Sequence, residues 1–223
     1  IPKVGVLFKK AHPEERDIME NTVKQGKKVD VRRLVFTALM AAISYLLAEF
    51  MEFKIPIMPN FITLDFSDMP AMLASLTMGP VSGVLVCLIK NVIGCMTSHT
   101  ACVGELSNFI LGAALVLPAG IIAHRKKNLS RAIVGCSVGA VTSAAFGFAS
   151  NYFLIYPLFA QIGWSTEAIV GMYQKILPSV NNLAECLLIF NVPFTFVKGA
   201  IAAAFSLVLY KHLRPVFSSI YRE

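Results

Sequence analysis

The chain has 223 residues, 56% of them hydrophobic and 15% charged, with a mean hydropathy of +0.67 and a net charge of +7. That balance is too apolar for a soluble domain of this length. The apolar residues come in blocks of roughly 20, the length a bilayer core of about 30 Å asks of a helix, and lack the alternation of a membrane β-barrel.

Residues 1–30 are polar and mixed in charge, without the apolar core of a signal peptide. They read as a cytoplasmic tail with a short helix through residues 14–24, and Met19 is a candidate start of the natural chain. A first apolar block spans residues 34–50, preceded by Lys27, Lys28, Arg32 and Arg33. After it, residues 51–67 hold Pro56 and Pro59 among Phe53, Ile55, Ile57 and Phe61, a stiff apolar loop suited to covering a cavity.

Residues 68–96 admit two readings, one long kinked helix or a hairpin turning at Gly79-Pro80. Charge chooses between them. If the tail before Arg33 is cytoplasmic, a single helix would leave the basic run at residues 124–131, with Arg125, Lys126, Lys127 and Arg131, on the outside. A hairpin places that run inside, together with Lys211 and Arg214 near the C-terminus, as the positive-inside rule requires. Basic clusters at block ends also argue against a nucleic-acid face, so no nucleic acid is expected as a partner.

Further blocks follow at residues 105–123, 132–159 and 183–210. The expected architecture is an all-α integral membrane protein, a bundle of six transmembrane helices with both termini cytoplasmic. Its membrane domain spans residues 31–214, with a C-terminal tail at 215–223. The second helix, about residues 68–78, is too short to cross, so its outer end should be buried in protein. Connections 51–67, 97–104 and 160–182 then face outward and are longer than the inner ones, which suggests a site opening outward.

Polar residues inside apolar spans are functional candidates because burying them in lipid is costly. They are Lys90 in the third helix, Glu105 and Asn108 on one face of the fourth, and Asn151 with Tyr152 in the fifth. Asn191, Thr195 and Lys198 follow i, i+4, i+7 spacing and share one stripe of the last helix. Asp65 and Asp68 stand at the entry to the second helix, and Phe61 or Tyr152 could stack on a planar ring. Plainer roles exist for several of these: Asp68 as a helix cap, Glu105 as a partner of a helix dipole or of Lys90, Asn151 as a helix–helix hydrogen bond.

The five cysteines Cys87, Cys95, Cys102, Cys136 and Cys186 read as small buried hydrophobes without a disulfide framework. Cys95, His99 and Cys102 lack a fourth ligand at metal spacing, so no metal is expected. No P-loop, Ser/His/Asp set or His-Glu-x-x-His appears, and no inverted repeat. A membrane lipid enzyme using Glu105, Asp68 and His99 is the remaining enzymatic reading, and it lacks a nucleophile.

An ordered set of short motifs adds a resemblance. Asp65-Phe66-Ser67-Asp68-Met69-Pro70-Ala71, Gly79-Pro80, Gly83 and Ile89-Lys90-Asn91 open it. Gly104-Glu105-Leu106-Ser107-Asn108-Phe109, Asn151-Tyr152 with Pro157, and Pro193-Phe194-Thr195-Phe196-Val197-Lys198-Gly199 extend it. Together they resemble the substrate-binding S-components of energy-coupling factor (ECF) vitamin transporters, the riboflavin type in particular, from about Arg33 to Arg214. The resemblance implies a multi-pass bundle in the cytoplasmic membrane of a prokaryote, with no enzymatic activity and no cofactor. Riboflavin, and FMN as a possible second ligand, would be held near the outer face under the first loop; pantothenate, folate and thiamin are the alternatives.

The resemblance further implies that Asn151 and the stripe ending at Lys198 bind the flavin ring. Thr195 departs from it, since many relatives have Asn there. The implied partners are a membrane T subunit and two ATP-binding-cassette ATPases. Ala38 and Ala42 on the first helix form the small-residue contact for the T subunit, with internal packing as the plainer role.

Overall fold

The computed structural model describes residues 31–125 and 128–220; the expected tail at residues 1–30, Lys126, Lys127 and residues 221–223 lie outside them. The helical bundle forms one compact unit from Val35 onward. Nearly everything described is helix. The helices are α1 (Val31–Phe50), α2 (Asp68–Met78), α3 (Pro80–Gly94), α4 (Val103–Arg125), α5 (Leu129–Ser150), α6 (Tyr156–Gln161), α7 (Thr166–Gln174), α8 (Leu183–Cys186) and α9 (Val192–Ile220). A two-strand antiparallel hairpin, β1 (Phe53–Lys54) with β2 (Thr63–Leu64), stiffens the first loop and pairs Phe53 with Leu64. The last helix carries past residue 214 to Ile220, into the stretch expected to be tail.

Four helical stretches are long and apolar enough to cross a membrane: Val31–Phe50, Val103–His124, Leu129–Gln161 and Leu183–His212. Residues 68–94 form neither a fifth such helix nor a kink. Gly79 breaks them at φ +101°, a conformation that costs glycine little and other residues much, and Pro80 opens the next helix, where its missing N–H is not needed. The two arms of this hairpin lie close, since a Cβ added at Gly83 would stand 2.5 Å from the Cβ of Ser75. With 11 residues, α2 is only about 17 Å long. All its residues except Met69 are buried, and Ser75 Oγ donates to the Val116 carbonyl at 2.6 Å, so protein rather than lipid surrounds the short helix.

The tightest seam joins α4 and α5. Helix α5 turns Ala132, Gly135, Cys136, Gly139, Ala140, Ser143 and Gly147 inward, a stripe of small residues at helical spacing. A Cβ at Gly139 would sit 2.2 Å from the Leu115 carbonyl oxygen, and one at Gly135 2.7 Å from that of Ala119. In lipid, where apolar side chains gain little by leaving the solvent, this backbone approach is what gives helix association its packing energy. Ala38 and Ala42 do not take part in the core; both are exposed on α1, beside the buried Ala41.

Two long helices contain a wide π turn, Asn151–Ile155 between α5 and α6 and Leu187–Asn191 between α8 and α9. Each lies two residues before a proline, Pro157 and Pro193. Proline has no N–H for the residue four back, and its ring crowds that carbonyl. Widening the turn relieves the clash and rotates the helix faces beyond it.

Candidate substrate-binding site

The π turns place one amide each beside a cavity bounded by α2, α4, α5, α9 and the first loop. About 800 Å³ of space, part of it open to solvent at the mouth, lies among these elements. Apolar walls come from Leu111 and Leu115 of α4, Ile155 and Phe159, and Phe194. Phe61 and Ile62 from the first loop close over it. Phe61 is held there by rings on three sides, with centroids 6.5 Å from Tyr156, 5.9 Å from Phe159 and 5.6 Å from Trp164.

The polar side chains in and behind the cavity wall fall into three groups. In the first, Asn191, Tyr156 and Tyr173 form a closed ring of hydrogen bonds. Tyr173 OH donates to Asn191 Oδ1 at 2.6 Å, and Asn191 Nδ2 donates to Tyr156 OH at 3.1 Å. The Tyr156–Tyr173 contact at 2.8 Å must then run from Tyr156 as donor, because the Tyr173 proton is already committed. Each phenol thus gives and accepts once, and the ring fixes the Asn191 amide with one N–H to spare. In the second group, Asn151 Oδ1 accepts from Ser107 Oγ at 3.1 Å, which turns its Nδ2 donors away from Ser107. Asn108, Ser143, Thr63 and Thr195 complete the polar edge.

The third group is ionic. Lys198 Nζ lies 2.8 Å from Asp65 Oδ2, and Lys90 Nζ lies 2.6 Å from Asp68 Oδ1 and 2.5 Å from Ser67 Oγ. Asp65 Oδ1 also accepts the Ser67 N–H at 2.8 Å, and Ser44 on α1 donates to the Ser67 carbonyl. This knot ties the end of the first loop to α1, α3 and α9. Burial by itself raises the Asp65 carboxyl, but Lys198 and then Lys90 outweigh it and hold Asp65 below the ordinary carboxylate range. Asp68 is not the cap of α2; Ser67 occupies that position, and Asp68 is one residue inside, spent on Lys90 and bordering the cavity.

Of the residues singled out from sequence, the cavity brings together Phe61, Asp68, Asn108, Asn151, Asn191, Thr195 and Lys198. Three others stand elsewhere. Lys90 is buried behind the cavity wall on Asp68. Glu105 faces the other side of α4, where its Oε2 accepts from Ser98 Oγ at 2.7 Å and Thr100 Oγ1 at 3.3 Å. Tyr152 is 40% exposed and stacks on Phe148 at 6.0 Å. Sequence reasoning passed over Tyr156, Tyr173 and Ser107. Among the described residues no three His, Cys, Asp or Glu side chains gather as a metal site, Cys95, His99 and Cys102 included.

Such a lining can bind a molecule with a flat apolar body and hydrogen-bonding edges. It offers no nucleophile beside a base.

Comparison with known proteins agrees with this geometry. The family model described as the ECF transporter substrate-specific component matches residues 32–210. The riboflavin transporter RibU of Staphylococcus aureus (strain TCH60) is 32% identical over 182 residues, which cover 82% of this chain and 90% of that protein. The riboflavin transporter FmnP of Bacillus subtilis (strain 168) is 28% identical over 191 residues, 83% of this chain and 93% of that protein. The solved S component of a bacterial ECF transporter superposes with a TM-score of 0.65 at 30% identity, covering 83% of this chain and 96% of that one. These are transport components, not enzymes. On family match, relatives and fold together, this chain is a multi-pass membrane protein that belongs to the substrate-specific components of ECF transporters.

Proposed function

We propose that the cavity binds riboflavin and that the chain is the riboflavin-binding S-component of an ECF-type importer. The observation that carries this reading is the pairing of apolar walls with an edge of amides and hydroxyls in which every nearby charge is already matched. Asp65 with Lys198 and Asp68 with Lys90 leave two positive and two negative charges, a sum of zero. A neutral heteroaromatic ring with donors and acceptors on its rim suits that lining, as does a hydroxylated side chain. Pantothenate would need a free cation for its carboxylate and thiamin an unmatched anion. FMN adds a phosphate, and the lysine lining the cavity, Lys198, is already paired with Asp65, so riboflavin should bind more tightly than FMN. Two relatives carry riboflavin in their names.

The hairpin α2–α3, added to the four long helical stretches, supports a count of six membrane segments with the cavity near the outer face. The basic cluster before α5 supports cytoplasmic termini in a prokaryotic cell membrane. Ala38 and Ala42, exposed four residues apart on α1, offer the close approach a T subunit would use, with two ATPases driving the cycle. Titration of the purified chain into riboflavin, followed by flavin fluorescence, tests the core of the reading. Quenching that saturates at one ligand per chain, and weakens in Asn151→Ala and Lys198→Ala, is expected. Colourless protein without quenching would overturn it, and a vitamin panel in a thermal-shift assay would then identify the true ligand.

A further inference from the structure

Five cysteines divide into two kinds. Cys87, Cys136 and Cys186 are buried, whereas Cys95 and Cys102 are half-buried at either end of the α3–α4 connection. Cys95 caps the C-terminus of α3, and Cys102 immediately precedes α4. The Cys102 thiol reaches back to donate to the Cys95 carbonyl at 3.7 Å, and the two side chains interact directly. Both border an open groove between α3, α4 and α6, within reach of small reagents.

The backbone between them is bent hard to bring them together. Ala101 and Cys102 have φ of +49° and +65°, a region that residues with a Cβ seldom occupy, here twice in succession. The segment is laced to the head of α4: the Cys102 N–H donates to Ser98 Oγ at 3.0 Å, and Gly104 N–H donates to Thr100 Oγ1 at 3.1 Å. Gly104 itself lines the binding cavity, two residues beyond Cys102.

We propose that Cys95 and Cys102 are a redox-active dithiol that closes to an intramolecular disulfide, clamping the α3–α4 connection beside the cavity. The oxidant is a small disulfide, R–S–S–R. One cysteine thiolate attacks a reagent sulfur, releasing RS⁻ and leaving a mixed disulfide. The second thiolate then attacks the protein sulfur of that intermediate and expels the second RS⁻. The protein loses two electrons and two protons, and the reagent leaves as two thiols. The turn already holds the two residues side by side, and the covalent bond would lock that arrangement, so that the oxidised connection resists unwinding.

The test uses the full purified chain and does not depend on which vitamin it binds. Protein is treated with oxidised glutathione, blocked with N-ethylmaleimide and digested with trypsin after denaturation. Residues 91–125 form one tryptic peptide holding only these two cysteines. Expected is loss of two hydrogens from that peptide with no maleimide on it, reversed by reductant. Cys95→Ser and Cys102→Ser should each leave the remaining thiol open to maleimide or capped by glutathione, with no internal bridge. Oxidised wild type should also melt several degrees above its reduced form, a shift absent from both variants. Maleimide on both thiols after full oxidation would overturn the proposal, as would links only between chains, and an unchanged melting temperature would overturn the clamp.

Discussion

Helices α4 and α5 are built differently at their two ends. Toward the end where α5 begins, Gly135 and Gly139 let its backbone approach the carbonyls of Ala119 and Leu115 so closely that no side chain fits between. Toward the other end, α5 gives way to the π turn at Asn151, and α4 presents Ser107 and Asn108 to open space. One region stabilises by excluding everything, and the other is held open by rings and ion pairs that leave hydrogen-bonding capacity unused. A binding protein in lipid needs both, because polar groups that face a cavity must be propped apart by packing elsewhere.

Substitutions at the seam should therefore cost stability, and those at the cavity should cost affinity. The largest effect is expected from Gly139→Leu, whose side chain has no room against Leu115; a loss of about 3 kcal/mol or more should abolish folded protein in detergent, read by size-exclusion chromatography. Normal folding with normal riboflavin binding would mean the seam is looser than described. Next comes Lys198→Met, which strands Asp65 and should destabilise by about 3–5 kcal/mol. Adding Asp65→Asn should restore much of the melting temperature without restoring affinity, since Lys198 also lines the cavity.

Asn151→Ala should weaken riboflavin roughly ten- to a hundredfold with little change in melting temperature, as expected for losing amide contacts to a buried ligand. Tyr173→Phe removes two bonds of the closed ring, the one it donates to Asn191 and the one it accepts from Tyr156, and should cost about 1–3 kcal/mol. It weakens binding only through a looser Asn191. The smallest effect concerns pH. Asp65 has a depressed folded-state pKa, so its stabilising contribution is present above the unfolded value of about 3.9 and is lost as pH falls through the lower folded one. Binding measured from about pH 5 to 8 should show no step from this group; a step there would mean the Lys198 pair is broken in solution.

Much of the bundle was legible in the chain. Long apolar blocks, charge clusters and Gly79-Pro80 together separated α2 from α3, and the i, i+4, i+7 spacing put Asn191, Thr195 and Lys198 on one stripe, all three of which border the cavity. The same periodicity failed beyond Asn151. In a regular α-helix its fifth successor faces elsewhere, but across the π turn the Tyr156 N–H bonds to the Asn151 carbonyl and both side chains meet the cavity. The proline two residues past each wide turn was the available signal, though Pro118 inside α4 shows that proline alone is not enough. Tyr173 lies on α7, in a connection with no period to read, and only tertiary contact brings it to Asn191.

The balanced quartet at the cavity has one more consequence. A unit charge carried across a membrane potential of 100 mV involves about 2.3 kcal/mol of electrical work. Asp65, Asp68, Lys90 and Lys198 carry zero charge in sum and stay within hydrogen-bond distance as pairs, so the field does almost no net work on them when the site moves. With a neutral ligand aboard, the loaded and empty cavities look the same to the membrane voltage, and uptake through this site should proceed equally in polarised and depolarised vesicles.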